Sequence, residues 1–422
     1  MKESLFSSLK RGLVSTFIII YTFFFIFSPR LVTFNTCHIL FALAVFFCMF
    51  NIKKTVKLFR KAKVSFFFLI IFIAKSFSIL TAYINGYEQD VYGLFQMCVE
   101  LPVCLVFLLF LLDKYSYTSN DFINILIIVG IIQTFIGVAM LLSPSFKELV
   151  DSHRYQFWDD RYKGLSTYRM FGFAENLLHI TPIVQAIVAL LILIKSSKNI
   201  ILVCLIPFFF LFCMMNTRTS VLVLFLIFAL YLVFARNIKR RFFSIGVLAV
   251  IALVGMSSIL YTLSSNSGES FEYFLSGYNY VMDVTSGGES ISTHKDSFSS
   301  GYESIPSDIG ALAFGVGTSI QSGIKLHGQI VAGDMGYIND IYRYGIILSL
   351  IIWFSFIKQA KNIKYANIEA SSFLSHIFMI VFLISHFKGT VTNYNDFTVL
   401  LLLLSCAYIL DKKQSICKNV LN

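Results

Sequence analysis

At 422 residues, 57% hydrophobic and only 14% charged, this chain is too apolar for a water-soluble domain, where about 25% of residues are charged. Its net charge of +11 does not point to nucleic acid, because the basic residues are scattered between apolar stretches and form no single face. What remains is a chain whose solvent is a bilayer.

In chain order, the sequence predicts about twelve apolar stretches, roughly 12–29, 31–50, 64–84, 91–112, 122–143, 177–194, 199–215, 219–235, 243–263, 336–357, 371–388 and 396–410. Each is near the length of about 18–20 apolar residues that carries a helix across the hydrocarbon core. The first runs into Pro29-Arg30 with no small-residue cleavage pattern, so it reads as an anchor and not as a removable signal peptide. Alternate gaps hold 22 of the 34 Lys and Arg residues, with six in 51–63 alone. By the positive-inside rule those gaps and both termini face the cytoplasm. The fold expected is an all-α polytopic membrane protein of about twelve spans, its remaining gaps outside. The eight cysteines avoid both long outer segments, so no disulfide or zinc framework is expected there.

Within the third and fourth stretches, Lys75 and Glu100 fall near mid-membrane on adjacent antiparallel spans, and an interhelical ion pair between them is expected. His38, His179, His376 and His386 are expected to hydrogen-bond between helices. Two outer segments are long, 144–176 and 264–335, and long loops on a helical scaffold are where binding and catalysis concentrate. In the second, Phe271, Phe274, Leu275, Tyr278 and Met282 recur at helical spacing, which predicts an interfacial helix.

The arginines are unevenly placed. Cytoplasmic gaps hold 17 Lys and five Arg, the outer gaps five of each when Lys388, the last residue of 371–388, is counted with them. Orientation needs only charge, whereas the guanidinium fork adds bidentate recognition of phosphate. Arg161, Arg169 and Arg218, with Arg343 about one turn below the outer surface, are therefore the expected diphosphate-binding residues; for Arg154 snorkelling or pairing with nearby aspartates is the better reading. Asp334 meets the membrane just before a helical run, and could be a general base or a helix cap. His327 is a second candidate base, and Asp340 and Arg343, at i and i+3, are expected to pair. Phe314-Gly315-Val316-Gly317 lacks the Lys-Ser/Thr ending of a P-loop and is rejected as one. Glu88-x-Asp90 and Asp159-Asp160 are too common a pattern to predict a metal.

Together these features resemble the O-antigen polymerases (Wzy type), relatives of the O-antigen ligases. The likeness is carried by the Arg161-x-x-Gly164 loop with Gly172 before a Pro-containing helix, by Thr217-Arg218-Thr219-Ser220, and by Leu312-x-Phe314-Gly315-x-Gly317 followed by Gly333-Asp334-x-Gly336-Tyr337 and Tyr344-Gly345. It extends over most of the chain through its plan of spans and two large periplasmic loops, a glycosyltransferase C-like architecture. Asp334-Met335 stands where ligases carry a His-Asn-type pair, which favours the polymerase. The resemblance implies transfer of a growing glycan from undecaprenyl diphosphate onto a lipid-linked oligosaccharide repeat unit at the periplasmic face of a bacterial inner membrane. No cofactor is expected; membrane lipids and a Wzz-type chain-length co-polymerase are the expected partners. It also implies that Arg161, Arg169, Arg218 and Arg343 hold the diphosphate, that Asp334 or His327 activates the acceptor hydroxyl, and that Tyr168, Tyr302 and Tyr337 stack on sugars. The alternatives are a ligase, or a polysaccharide flippase or other transporter. The transporter is disfavoured here because the polar residues lie mostly in the outer segments and the 51–63 loop lacks the Gly and Asp of the facilitator signature.

Overall fold

The computed structural model describes residues 2–31, 34–153, 169–174, 179–195, 200–234, 246, 305–321, 323–326, 329–331 and 333–411. Among these, helix dominates. The chain runs through α1 (Lys2–Phe27), α2 (Thr36–Phe50), α3 (Ile52–Lys61), α4 (Ser65–Ile84), α5 (Val91–Lys114, with a π turn at Gln96–Glu100), α6 (Ser119–Leu142) and α7 (Pro144–His153). It continues as α8 (Ile180–Lys195), α9 (Ile206–Asn216), α10 (Arg218–Phe234), α11 (Ile309–Phe314), α12 (Gly336–Asn362), α13 (Ser371–Lys388) and α14 (Asp396–Cys406). The strands described are Ile324–Leu326 and Gln329–Val331, an antiparallel hairpin pairing Ile324 with Val331.

Each expected apolar stretch except 243–263, of which Gly246 is the one described residue, falls on one or more of these helices. Among the described residues, five helices are long and apolar enough to cross a membrane, or six if the bent pair α2–α3 is taken as one; α1 from Arg11, α8, α9 and α10 are apolar but shorter. The interfacial helix expected around Phe271–Met282 also lies outside the described residues.

Local chemistry sets the helix starts. Asn35 caps α2 by accepting from Cys37 N, and Asn395 caps α14 by accepting from Thr398 N, each at 2.9 Å. Thr118 and Asp121 form a reciprocal capping box at α6. Between helices the packing follows membrane logic, in which small residues permit close approach. Gly130 faces Val188 of α8, and Gly137 faces Phe212 of α9, so closely that a Cβ at either would clash. Helices α8 and α14 are apolar and buried on all sides, at the centre of the bundle. By contrast α2, α4 and α12 display exposed Phe46, Met49, Phe50, Leu69, Phe72, Ile347 and Phe354. So much contiguous apolar surface fits a lipid environment and not water.

One expected span is broken. Gly345, inside α12, has φ 74° and ψ 163°, which is not helical. In a straight helix Asp340 and Trp353 would be about 20 Å apart along the axis, yet Trp353 Nε1 donates to Asp340 Oδ2 at 2.9 Å. The segment Gly336–Tyr344 is therefore a short half-helix folded back on the longer one that follows Gly345.

Candidate functional site

The break in α12 organises a polar centre at one end of the bundle. Gly315 and Gly317, both at positive φ, lay their backbone against it: Val316 N and Gly317 N donate to Tyr342 O at 2.6 and 3.2 Å. A Cβ on Gly345 would lie 2.2 Å from Ala313 O, and one on Gly317 2.1 Å from Ala82 N of α4. Ser78 Oγ donates to Gly317 O at 2.9 Å and Asn85 to Val316 O at 3.2 Å, locking the turn to α4. The glycines that resemble a phosphate loop are thus used for backbone-to-backbone packing.

Beside this turn, Lys75 of α4 is buried and donates to Asp90 Oδ2 at 2.9 Å and to Asn393 Oδ1 at 3.0 Å. Half-buried Arg343 donates through Nη1 to the same Asn393 Oδ1 at 2.9 Å. Sharing one acceptor places the two donor nitrogens within about 6 Å of each other, since the two bonds are 3.0 and 2.9 Å. At that separation two like charges repel by about 3 kcal/mol at an effective dielectric constant of 20. Asp90 answers both, and Asp340 adds a second carboxylate within electrostatic reach of Arg343. Burial alone would raise the pKa of Asp90, but Lys75, then Arg343 and the Gly93 N–H, bring it below the ordinary carboxylate value. With Asp340 counted, two cations face two carboxylates, and the two donors converge on one neutral amide oxygen where an anion could bridge Lys75 and Arg343.

The loop presenting Asn393 runs from Gly389 to Asn395 between α13 and α14 and reaches into the bundle, with Thr392 and Asn395 buried. Its other contacts build a second network. Thr392 Oγ1 donates to buried Asp340 at 2.8 and 3.0 Å, His386 Nε2 lies 3.0 Å from Asp340 Oδ2, and Val391 N donates to His386 Nδ1 at 3.2 Å. That last bond assigns the ring proton to Nε2, facing the carboxylate. His179 Nε2 sits 3.2 Å from Ser385 O, against Gly389. Arg169 lies within electrostatic reach of His179.

The expected site residues fare differently. Arg161, Tyr168, Tyr302 and His327 lie outside the described residues. Arg169 and Arg218 flank one contact: Gln133 donates to Phe171 O at 2.7 Å, and Asn216, two residues before Arg218, donates to Met170 O at 3.1 Å. Arg218 is exposed at the start of α10. Asp334 is exposed, and it caps nothing; Met335 occupies the cap position with no side-chain bond. Its neighbours are pinned by Asn339 Nδ2, which donates to Gly333 O and Met335 O, both at 2.9 Å. Gly336 packs its backbone on His386 O and Gly389 O, so Asp334 stands beside the Asn393 loop. Tyr337 directs its OH to Leu383 O at 2.9 Å and its ring edge-on to His386 and Trp353, which leaves its ring committed to internal packing.

Two expected ion pairs are corrected. Lys75 pairs with Asp90, while Glu100 pairs with His38 Nδ1 at 2.7 Å. Depth alone suggested the Lys75–Glu100 match; the π turn ending at Glu100 shifts the helical register and turns that carboxylate toward α2. Asp340 and Arg343 do not bond each other, because the Asn393 loop inserts Thr392 at one and Asn393 at the other. His38 and His179 do hydrogen-bond between elements; His386 Nε2 lies 3.0 Å from Asp340 without hydrogen-bond geometry, its Nδ1 accepting from Val391 N of the following loop, and His376 Nδ1 turns back to Ser372 O of its own helix at 2.7 Å. Among the described residues, no three His, Cys, Asp or Glu side chains are grouped to hold a metal ion. Asn393 and the pairing of Lys75 with Arg343 were not anticipated; the one signal was the polar run Thr390-Val391-Thr392-Asn393-Tyr394-Asn395 between two apolar stretches. No family model, curated protein or solved structure is matched by this chain.

Proposed function

We propose that this protein is a membrane glycosyltransferase of the O-antigen polymerase kind, joining lipid-linked oligosaccharide repeat units at the outer face of a bacterial inner membrane. The observation that carries the reading is the convergence of Lys75 and Arg343 on the single neutral acceptor Asn393 Oδ1. A diphosphate on a polyprenyl chain brings its charge to the membrane surface, where a partly buried cation pair is costly without an anion. The charge distribution of the gaps supports the orientation, about twelve spans and cytoplasmic termini.

In the proposed reaction the acceptor hydroxyl oxygen attacks the anomeric carbon of the donor glycan. The bond from that carbon to the diphosphate oxygen breaks, and the electron pair leaves with the undecaprenyl diphosphate. Lys75 and Arg343 stabilise the departing charge, and Arg169 and Arg218 add further guanidinium groups to it. Exposed Asp334 accepts the hydroxyl proton. The bond broken is already activated, so no nucleotide enters, and a Wzz-type partner would set chain length.

A transporter is the second reading, and a specific observation favours it. A helix broken at Gly345 and ionic groups held inside the bundle are the features that transporters place around their substrates. Cells lacking the protein separate the readings. A lipid A bearing one repeat unit supports the polymerase, carrier-linked polymer indicates a ligase, and units trapped in the cytoplasm indicate a flippase.

A further inference from the structure

Helix α3 is built to lie on a membrane surface. It leaves α2 at a bend of 109° and has the sequence Ile52-Lys53-Lys54-Thr55-Val56-Lys57-Leu58-Phe59-Arg60-Lys61, five cations and no acid. Three faces divide it. Leu58 and Ala62 are buried, with Thr55 and Phe59 partly so, and Phe59 stacks on Phe68 of α4 at 6.0 Å. Lys53, Lys57, Arg60 and Lys61, at i, i+4, i+7 and i+8, share the exposed face opposite. Between them runs an exposed apolar edge of Ile52 and Val56, continuing the exposed Met49 and Phe50 at the end of α2.

The helix is fixed in this pose. Tyr408 OH donates to Lys61 O at 2.6 Å and Gln359 Nε2 reaches Lys63 O at 3.5 Å, tying its end to the rest of the bundle. Among the described residues none of its five cations has an ion-pair partner. Lys358 packs over Phe66 at 4.2 Å and Lys364 over Tyr365 at 5.0 Å, placing further cations near the α3–α4 turn.

We infer that α3 is an in-plane interfacial helix that binds the headgroups of anionic phospholipids, with Ile52 and Val56 dipping into the acyl boundary and the Lys53–Lys57–Arg60–Lys61 face gripping phosphates. An apolar edge beside an exposed basic face is the pattern that anionic leaflets recognise, and charge complementarity excludes a zwitterionic surface as the preferred one. The inference stands apart from the glycosyl-transfer reading and does not need it.

The test uses full-length purified protein in detergent, titrated with phosphatidylglycerol or phosphatidylcholine and followed by native mass spectrometry and thermal unfolding. Wild-type protein should retain phosphatidylglycerol preferentially and melt later in its presence, with both effects reduced by salt. Each of Lys53→Gln and Lys57→Gln should weaken retention roughly fivefold, and the fourfold variant with Lys53, Lys57, Arg60 and Lys61 all changed to Gln by about a hundredfold or more. Lys53→Arg/Lys57→Arg should behave as wild type. Wild-type protein that does not discriminate the two lipids overturns the proposal, as do single variants that keep the full preference.

Discussion

Removing either partner of the Lys75–Asp90 pair should cost different amounts, because the residue left behind differs. Lys75 is buried, its side chain 3% exposed, whereas Asp90 is 38% exposed. Asp90→Ala leaves a buried ammonium with the Asn393 amide as its one remaining acceptor, next to Arg343; breaking a buried pair in this way costs about 3–5 kcal/mol. Lys75→Met keeps the stem volume and leaves a carboxylate that water reaches, with Gly93 N still donating at 2.9 Å, so the loss is about 1–2 kcal/mol. The double variant removes both charges and should be less destabilised than Asp90→Ala alone. Reversible unfolding in mixed micelles at pH 7 measures all three and gives the coupling of the pair. The sign of the pH effect follows from a folded-state pKa held below the unfolded one. The coupling is fully present above about pH 5 and is lost as pH falls below about 4, through the folded value. If Lys75→Met proves as costly as Asp90→Ala, or the two effects simply add, the buried-cation argument is wrong.

Gly345→Ala sets a Cβ 2.2 Å from Ala313 O at φ 74°, whereas Gly86→Ala meets nothing within 4 Å at φ 72°; the first should cost several kcal/mol or abolish assembly, the second about 1 kcal/mol, by thermal stability in detergent. His38→Ala strands the fully buried Glu100 carboxylate, so it should cost about 3–5 kcal/mol, and adding Glu100→Gln should recover part of that loss in the same assay. On the proposed reading, Asp334→Asn should lower glycan polymerisation by about 10²–10⁴-fold with unchanged thermal stability, because the Asp334 side chain is exposed and caps no helix; activity equal to wild type would remove it as the base.

Hydropathy made the helices legible because lipid-facing and core-facing positions are both apolar here, and α8 and α14 are apolar all round. It hid the break at Gly345, since the long apolar run from Ile346 carries the stretch's average past Asn339, Asp340 and Arg343, and nothing local distinguishes a packed glycine from a kink. The positions of charged residues along the chain located Lys75 and Glu100 but mispaired them. Pairing depends on rotation about the helix and on what the loops do, and neither the π turn at Gln96–Glu100 nor the descent of Asp90 to Lys75 leaves a mark in hydropathy. Arg343 was recognisable as an expensive residue near one end of its stretch. Its companion could not be foreseen, because Asn393 acts through a short loop that folds inward between α13 and α14, and inward loops look like any polar connection in sequence. The histidines divide the same way, His386 finding Asp340 across helices while His376 satisfies itself within one turn.

The central claim is that the paired cations Lys75 and Arg343 hold the diphosphate of a lipid-linked glycan during transfer. Purified protein reconstituted with an undecaprenyl-diphosphate-linked repeat unit, and no nucleotide, tests it most directly. Wild-type protein should build a glycan ladder and release undecaprenyl diphosphate, while Arg343→Glu, folded and membrane-inserted, should do neither. A ladder undiminished by Arg343→Glu, or no polymer from wild-type protein with lipid-linked repeats in excess, would contradict the account.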